Sequence, residues 1–199
     1  MVFTGGARSG KSSAAQRLAE QRAVATPVTV VVFGRPGIDA EFAERIALHR
    51  SARPDSWNTL EAGDSTSWMN DLPDTDVVVV DCLGTLLGLA MEELYGEGSG
   101  SALGEAHADR LPEGFETAVN DRFGLSLRWF LERSGDTIVV TNEVGDGIVP
   151  AYATGRLFRD TLGRANRVLV GRSDAAYLCV AGRLIDLLGL PEQARWPQD

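Results

Sequence analysis

Eight residues near the start of this 199-residue chain, Gly5-Gly6-Ala7-Arg8-Ser9-Gly10-Lys11-Ser12, constrain its fold more than any other feature. They fit the G-x-x-x-x-G-K-[ST] pattern and lie between a short apolar run, Val2 to Thr4, and a stretch of helical spacing from Lys11 to Ala25. In that context the glycines let the backbone turn, so that successive N–H groups converge on one concavity. The helix N-terminus adds its positive end. Lys11 is the only lysine among 19 Lys and Arg, so a chain that otherwise uses Arg has kept a compact ammonium here. That charge suits the β and γ phosphates of a nucleotide, and the Ser12 hydroxyl is placed to ligate Mg²⁺. The fold class that follows is α/β, with a mainly parallel sheet flanked by helices.

The remaining pattern agrees. Val28 to Phe33 and Val77 to Val80 read as strands buried on both faces, and Thr137 to Thr141 and Ala175 to Val180 as further strands. Between them, Asp39 to Arg50, Leu83 to Tyr95, Pro112 to Arg133 and Gly155 to Val170 read as helices. A short extended piece at Trp57 to Glu61 and a small helix at Thr66 to Asp71 complete the order. Gly96 to Gly104 reads as a Gly/Ser/acid loop within a mobile insertion around 96–112, and Gly182 to Leu190 as a polar end. No repeat or linker divides the chain, so residues 1–199 are expected to form one domain.

Charge narrows the partners. With 28 Asp and Glu the net charge is -9, which disfavours a phosphate-backbone binder and so a nucleic-acid partner. The apolar runs fall short of the roughly 20 residues that cross a bilayer. The start lacks the charged and apolar regions of a signal peptide, so the expected location is the cytoplasm. Cys82 and Cys179 sit within apolar runs and are expected to be reduced core thiols.

Three further groups carry candidate chemistry. Asp81 ends the Val77 to Val80 run and is placed to hold Mg²⁺ with Ser12, although many buried strands end in Asp. His49 closes a predicted helix, followed by Arg50 and Arg53. As a neutral imidazole it can attack phosphorus, and as a cation it caps a helix C-terminus. His107, in the acidic Gly-rich region, reads as a solvated surface residue. Asn142 and Glu143 follow a predicted strand, at the sheet edge where α/β proteins bind ligands, and a plain polar turn is the alternative there.

Taken in order, these motifs resemble one family. Thr4 to Ser12, Arg45-Ile46, His49-Arg50, Arg53-Pro54, Trp57, Thr59 and Glu61 are followed by Asp81-Cys82-Leu83 and by Thr141 to Pro150 (TNEVGDGIVP). Arg156, Phe158-Arg159-Asp160, Gly163, Asn166 and Gly182 continue the pattern. The chain resembles the bifunctional adenosylcobinamide kinases/adenosylcobinamide-phosphate guanylyltransferases of cobalamin biosynthesis. The resemblance implies a RecA-like P-loop fold and a homo-oligomer, with a trimer as one arrangement.

It also implies two reactions. A nucleoside triphosphate, GTP or ATP, phosphorylates adenosylcobinamide, and GMP then passes from GTP to that phosphate through a guanylylated histidine. His49 stands at that place, with Lys11 as the second catalytic residue. Gly5, Gly6, Ala7, Arg8, Ser9, Gly10, Lys11, Ser12, Arg50, Arg53, Glu61, Asp81, Asn142 and Glu143 are the implied nucleotide-binding set, with Mg²⁺ on Ser12 and Asp81. The chain departs from the family pattern at Phe33-Gly34-Arg35, where Ala-Thr-Ala is frequent, at Gly84, where Thr is usual, and at Gly88-Leu89, where a Thr-Asn pair is usual. Two rival readings are a P-loop kinase that never guanylylates His49, and a nucleotide-binding partner protein without turnover.

Overall fold

The computed structural model describes residues 1–23, 26–34, 53–74, 76–99 and 110–190. Among these residues seven strands form one sheet: β1 (Val2–Gly5), β2 (Val28–Phe33), β3 (Asn58–Ala62), β4 (Val77–Asp81), β5 (Thr137–Val140), β6 (Ala176–Val180) and β7 (Arg183–Asp186). Their order is β3-β2-β4-β5-β1-β6-β7, and every pairing is parallel except β6 with β7. Among the described residues four α-helices pack on it: α1 (Lys11–Arg22), α2 (Leu83–Ser99), α3 (Phe115–Glu132) and α4 (Ala153–Arg172). A 3-10 turn runs over Ser67–Asp71.

Strand periodicity of two sorts the side chains into two cores. Val31, Phe33, Val78 and Val80 face α2, α3 and α4, where Leu83, Leu86, Phe123 and Leu162 meet them. Val28, Val30, Val32, Val77 and Val79 face the opposite side, with Ala14, Ala15 and Ala19 of α1. Unbroken apolar runs such as Val77 to Val80 are therefore explained by burial on both faces. Alanines on α1 let that helix lie close to the strands, which carries its N-terminus directly over the end of β1.

Because β5 lies between β1 and β4, the strand that feeds the phosphate loop and the strand that ends in Asp81 are one strand apart. That spacing is the RecA-like arrangement the family resemblance implies.

Two sequence expectations need correction. The stretch from Gly96 is not a loop throughout: α2 continues to Ser99. Tyr95 is buried edge-on against Phe115, with ring centroids 5.7 Å apart, and this packing carries the helix through glycines that cost about 1 kcal/mol each in isolation. The segment after Gly182 is not a polar tail, since Arg183–Asp186 forms β7 and pairs with β6 through a two-residue turn. Ala181 and Gly182 both take positive φ there, 49° and 76°, the geometry that matches the twist of a hairpin.

Smaller shifts occur at helix starts. The predicted Pro112 helix begins at Phe115, because Pro112 to Gly114 makes a turn in which Phe115 N–H donates to the Pro112 carbonyl. The predicted helix Asp39 to Arg50 lies outside the described residues, as does His107.

Candidate active site at the phosphate loop

The loop Gly6 to Gly10 leaves β1 at Gly5 and enters α1 at Lys11. Gly5 has φ +145°, and a Cβ built on it would lie 2.3 Å from the carbonyl oxygen of Cys179 in β6. A side chain is thus excluded where the strand turns into the loop. Two backbone hydrogen bonds fasten the loop to its surroundings. Gly182 N–H donates to the Ser9 carbonyl at 3.0 Å, and Glu143 N–H donates to the Gly5 carbonyl at 3.0 Å. The β6–β7 turn therefore buttresses the loop from one side, and the segment after β5 from the other.

Lys11 is buried, and its ammonium donates to the Gly6 carbonyl at 2.8 Å, inside the loop's own curve. The Ser9 side chain is also buried, while Gly6, Ala7, Arg8 and Gly10 are exposed along the rim. No acidic residue occupies the first turn of α1, so the positive end of that helix stays open to an anion. Ser12 Oγ donates to Asp81 Oδ1 at 3.1 Å, which brings together the two residues expected to ligate metal. A hydroxyl and a carboxylate oxygen at the mouth of a phosphate loop fit Mg²⁺, which takes few protein ligands and completes its shell with water and phosphate oxygens.

Asn142 and Glu143 stand beside this loop. The hydroxyl of Thr141 donates to Asn166 Oδ1 at 2.7 Å, and Asn166 Nδ2 donates to the Asn142 carbonyl at 3.0 Å. Both Thr141 and Asn166 are buried, so a side chain of α4 fixes the course of the backbone as it leaves β5. Glu143 Oε1 accepts the Gly145 N–H at 3.1 Å. The Asn142 amide approaches α2, where a Cβ on Gly84 would meet Asn142 Nδ2 at 3.3 Å.

Gly84 accordingly makes room for Asn142. Of the other departures, Phe33 is core, edge-on to Trp68 at 5.3 Å, and a Cβ on Gly88 would face open space.

Other expected site residues lie farther off. Glu61 is exposed on β3, which four strand spacings, about 19 Å, separate from β1. Arg53 is buried near the same strand, and its Nη1 donates to Thr59 Oγ1 at 3.5 Å. His49 and Arg50 lie outside the described residues. The site is therefore drawn as a phosphate loop with Ser12, Asp81, Asn142 and Glu143 around it, while Arg53 and Glu61 belong to the sheet's other edge.

Sequence reasoning missed two supports: the hairpin turn at Gly182, and the Thr141-Asn166 pair. For the first, a signal was present in Ala181-Gly182 between two apolar stretches. For the second, Thr141 and Asn166 both stand in the motif pattern, but nothing in the sequence pairs a strand-end hydroxyl with a helix amide 25 residues on.

Comparison with known proteins gives the family and the fold. Residues 1–187 match the family model described as cobinamide kinase / cobinamide phosphate guanyltransferase. The chain belongs to this family. Among curated members, the bifunctional adenosylcobalamin biosynthesis protein CobU of Salmonella typhimurium is 32% identical over 184 residues, covering 92% of this chain and 96% of that protein. The Escherichia coli CobU is 30% identical over 92% of this chain and 96% of its own length. CobP of Pseudomonas aeruginosa is 31% identical over 96% of this chain and 98% of its own.

A solved type III secretion system ATPase aligns over 89% of this chain and 50% of its own, with a TM-score of 0.52 and 14% identity. That likeness concerns the fold. Cobinamide kinase/guanyltransferase membership thus rests on nearly the whole length of the chain. Among the described residues no helix is long and apolar enough to cross a membrane.

Proposed function

We propose that this chain phosphorylates adenosylcobinamide with a nucleoside triphosphate and then transfers GMP from GTP to the product, through His49. The observation that carries the reading is the family match over residues 1–187, which takes in the phosphate loop, the His49 segment and the Asn142 to Pro150 loop together. One domain, residues 1–199, serves both reactions, and the setting is cytoplasmic.

In the first reaction the loop N–H groups and Lys11 hold the β and γ phosphates in line with the aminopropanol hydroxyl. That oxygen bonds to the γ phosphorus as the bond to the bridging oxygen of the nucleoside diphosphate breaks. Ser12 and Asp81 would hold Mg²⁺, which when bound neutralises charge on the phosphate oxygens. In the second reaction an imidazole nitrogen of His49 bonds to the α phosphorus of GTP, and pyrophosphate leaves. A phosphate oxygen of adenosylcobinamide phosphate then bonds to the same phosphorus and releases the imidazole, giving adenosylcobinamide-GDP.

Arg50, Arg53 and Glu61 serve the nucleotide at the His49 end, whereas Asn142 and Glu143 serve it at the phosphate loop. A homo-oligomer belongs to the same proposal. It is supported by the sheet-edge strand β7, whose Leu184 and Ile185 are exposed beside Val180.

Incubation with adenosylcobinamide, GTP and Mg²⁺, followed by chromatography and mass spectrometry, tests the reading. Adenosylcobinamide phosphate should form first and adenosylcobinamide-GDP with pyrophosphate second. Phosphate product alone would reduce the assignment to a kinase, and nucleotide binding with neither product would remove the enzymatic reading.

A further inference from the structure

The loop that runs from Asn142 to Tyr152 is fastened at both ends, yet it leaves large apolar side chains exposed. At its start, Glu143 N–H is bonded to Gly5 and the Asn142 carbonyl to Asn166, while Val144 packs against the core. At its end, Arg156 Nη1 donates to the carbonyls of Pro150 and Ala151 at 3.0 and 2.7 Å. Pro150 also presses on α4, since a Cβ on Gly155 would lie 2.8 Å from Pro150 Cβ. Between these anchors Ile148 is 96% exposed and Val149 61%, and Tyr152, just past the second anchor at the start of α4, is 48% exposed. One exposed aliphatic is ordinary, but three large apolar side chains within five residues of a doubly anchored loop form a ledge.

Resting on the function proposed above, we infer that Ile148, Val149 and Tyr152 dock the macrocycle of adenosylcobinamide. The ledge is continuous with Glu143, whose backbone is bonded to the first residue of the phosphate loop. The substrate's reacting oxygen sits on a short aminopropanol arm and has to reach phosphates held at Lys11. Its macrocycle is too large to follow and must rest outside the loop mouth, on the same edge of the sheet. Methyl groups on the corrin rim suit Ile148 and Val149, and its amide-tipped arms suit a phenol that is apolar at one end and polar at the other. Anchoring at both ends keeps the ordering cost of such a ledge small.

The test is the double variant Ile148→Ser with Val149→Ser, compared with the parent protein. Both side chains already face water, so the urea midpoint should not move. Binding of adenosylcobinamide, measured by ultrafiltration and its own absorbance, should weaken about tenfold or more, with the KM for adenosylcobinamide rising in step. The KM for GTP should stay within about twofold, and mass by light scattering should be unchanged. Unaltered adenosylcobinamide binding would overturn the inference, as would a variant of smaller mass, which would give this surface to a second copy of the chain. A parent protein that binds adenosylcobinamide without converting it would refute the proposed function and leave the ledge standing. One that does not bind it at all would overturn both.

Discussion

Replacing Gly5 by Ala tests the phosphate loop at the point where its geometry is tightest. The added Cβ would lie 2.3 Å from the Cys179 carbonyl oxygen, 3.2 Å from its carbon and 3.1 Å from Ser9 Oγ. Ordinary contact begins near 3.4 Å, so β1 and β6 would have to separate by about 1 Å at a position where Gly5 and Cys179 are paired in register. Overpacking of this kind costs about 1–3 kcal/mol. Holding a residue with a side chain at φ +145° adds about 1–3 kcal/mol.

The expected loss is therefore roughly 2–6 kcal/mol, against a total stability of about 5–15 kcal/mol for a domain. Urea unfolding reads that loss, and titration with a fluorescent GTP analogue reads the displaced loop as weakened binding. Gly6→Ala is the matched control, since a Cβ there meets nothing within 4 Å, and its stability should stay within about 0.5 kcal/mol of the parent. A Gly5→Ala protein with parental stability and parental nucleotide affinity would refute the reasoning.

Three other outcomes follow from the same structure. Asn166→Leu leaves the Thr141 hydroxyl and the Asn142 carbonyl without their partner, so stability should fall by about 1–3 kcal/mol and the KM for nucleotide should rise; urea melts and steady-state kinetics check both. Burial raises the Cys179 thiol above its ordinary pKa, with the Lys11 charge opposing, and Cys82 is partly exposed. A disulfide exchange reagent should therefore titrate one thiol in the native protein and two in urea, and two fast native equivalents would contradict the packing. Asp64 caps the 3-10 turn by accepting from the hydroxyl and N–H of Ser67 and from the N–H of Thr66, and these bonds hold its carboxyl at about 2 against an ordinary 3.8. Because its folded pKa is depressed, its contribution is present above about 4 and lost as pH falls toward about 2. Asp64→Ala should cost about 1 kcal/mol at neutral pH, and the difference from the parent should shrink across that acid window in urea melts.

Much of this molecule was legible in its residues, and the exceptions have physical causes. The bounds of β2, Val28–Phe33, and the run ending at Asp81 follow from continuous apolar stretches that only a doubly covered strand requires. The pairing of Ser12 with Asp81 was legible because a phosphate loop dictates which strand end lies beside it. Strand order at the sheet edges was not legible. Nothing in Thr59 or Glu61 reveals that β3 is four spacings from β1. The strand β7 was missed because Arg183-Leu184-Ile185-Asp186 is exposed along its whole length and shows no buried face. Asn166 gained its role only when α4 was laid across the end of β5, which brings together residues 24 and 25 positions apart.

The most direct measurement of the central claim is retention of α-labelled GMP by the denatured protein after incubation with GTP and Mg²⁺. A phosphorus-nitrogen bond to imidazole survives alkali and is lost in mild acid. The parent protein should carry alkali-stable, acid-labile label mapping to the peptide that contains His49, and a His49→Ala variant that still binds GTP should carry none. Undiminished label in that variant would remove His49 from the reaction.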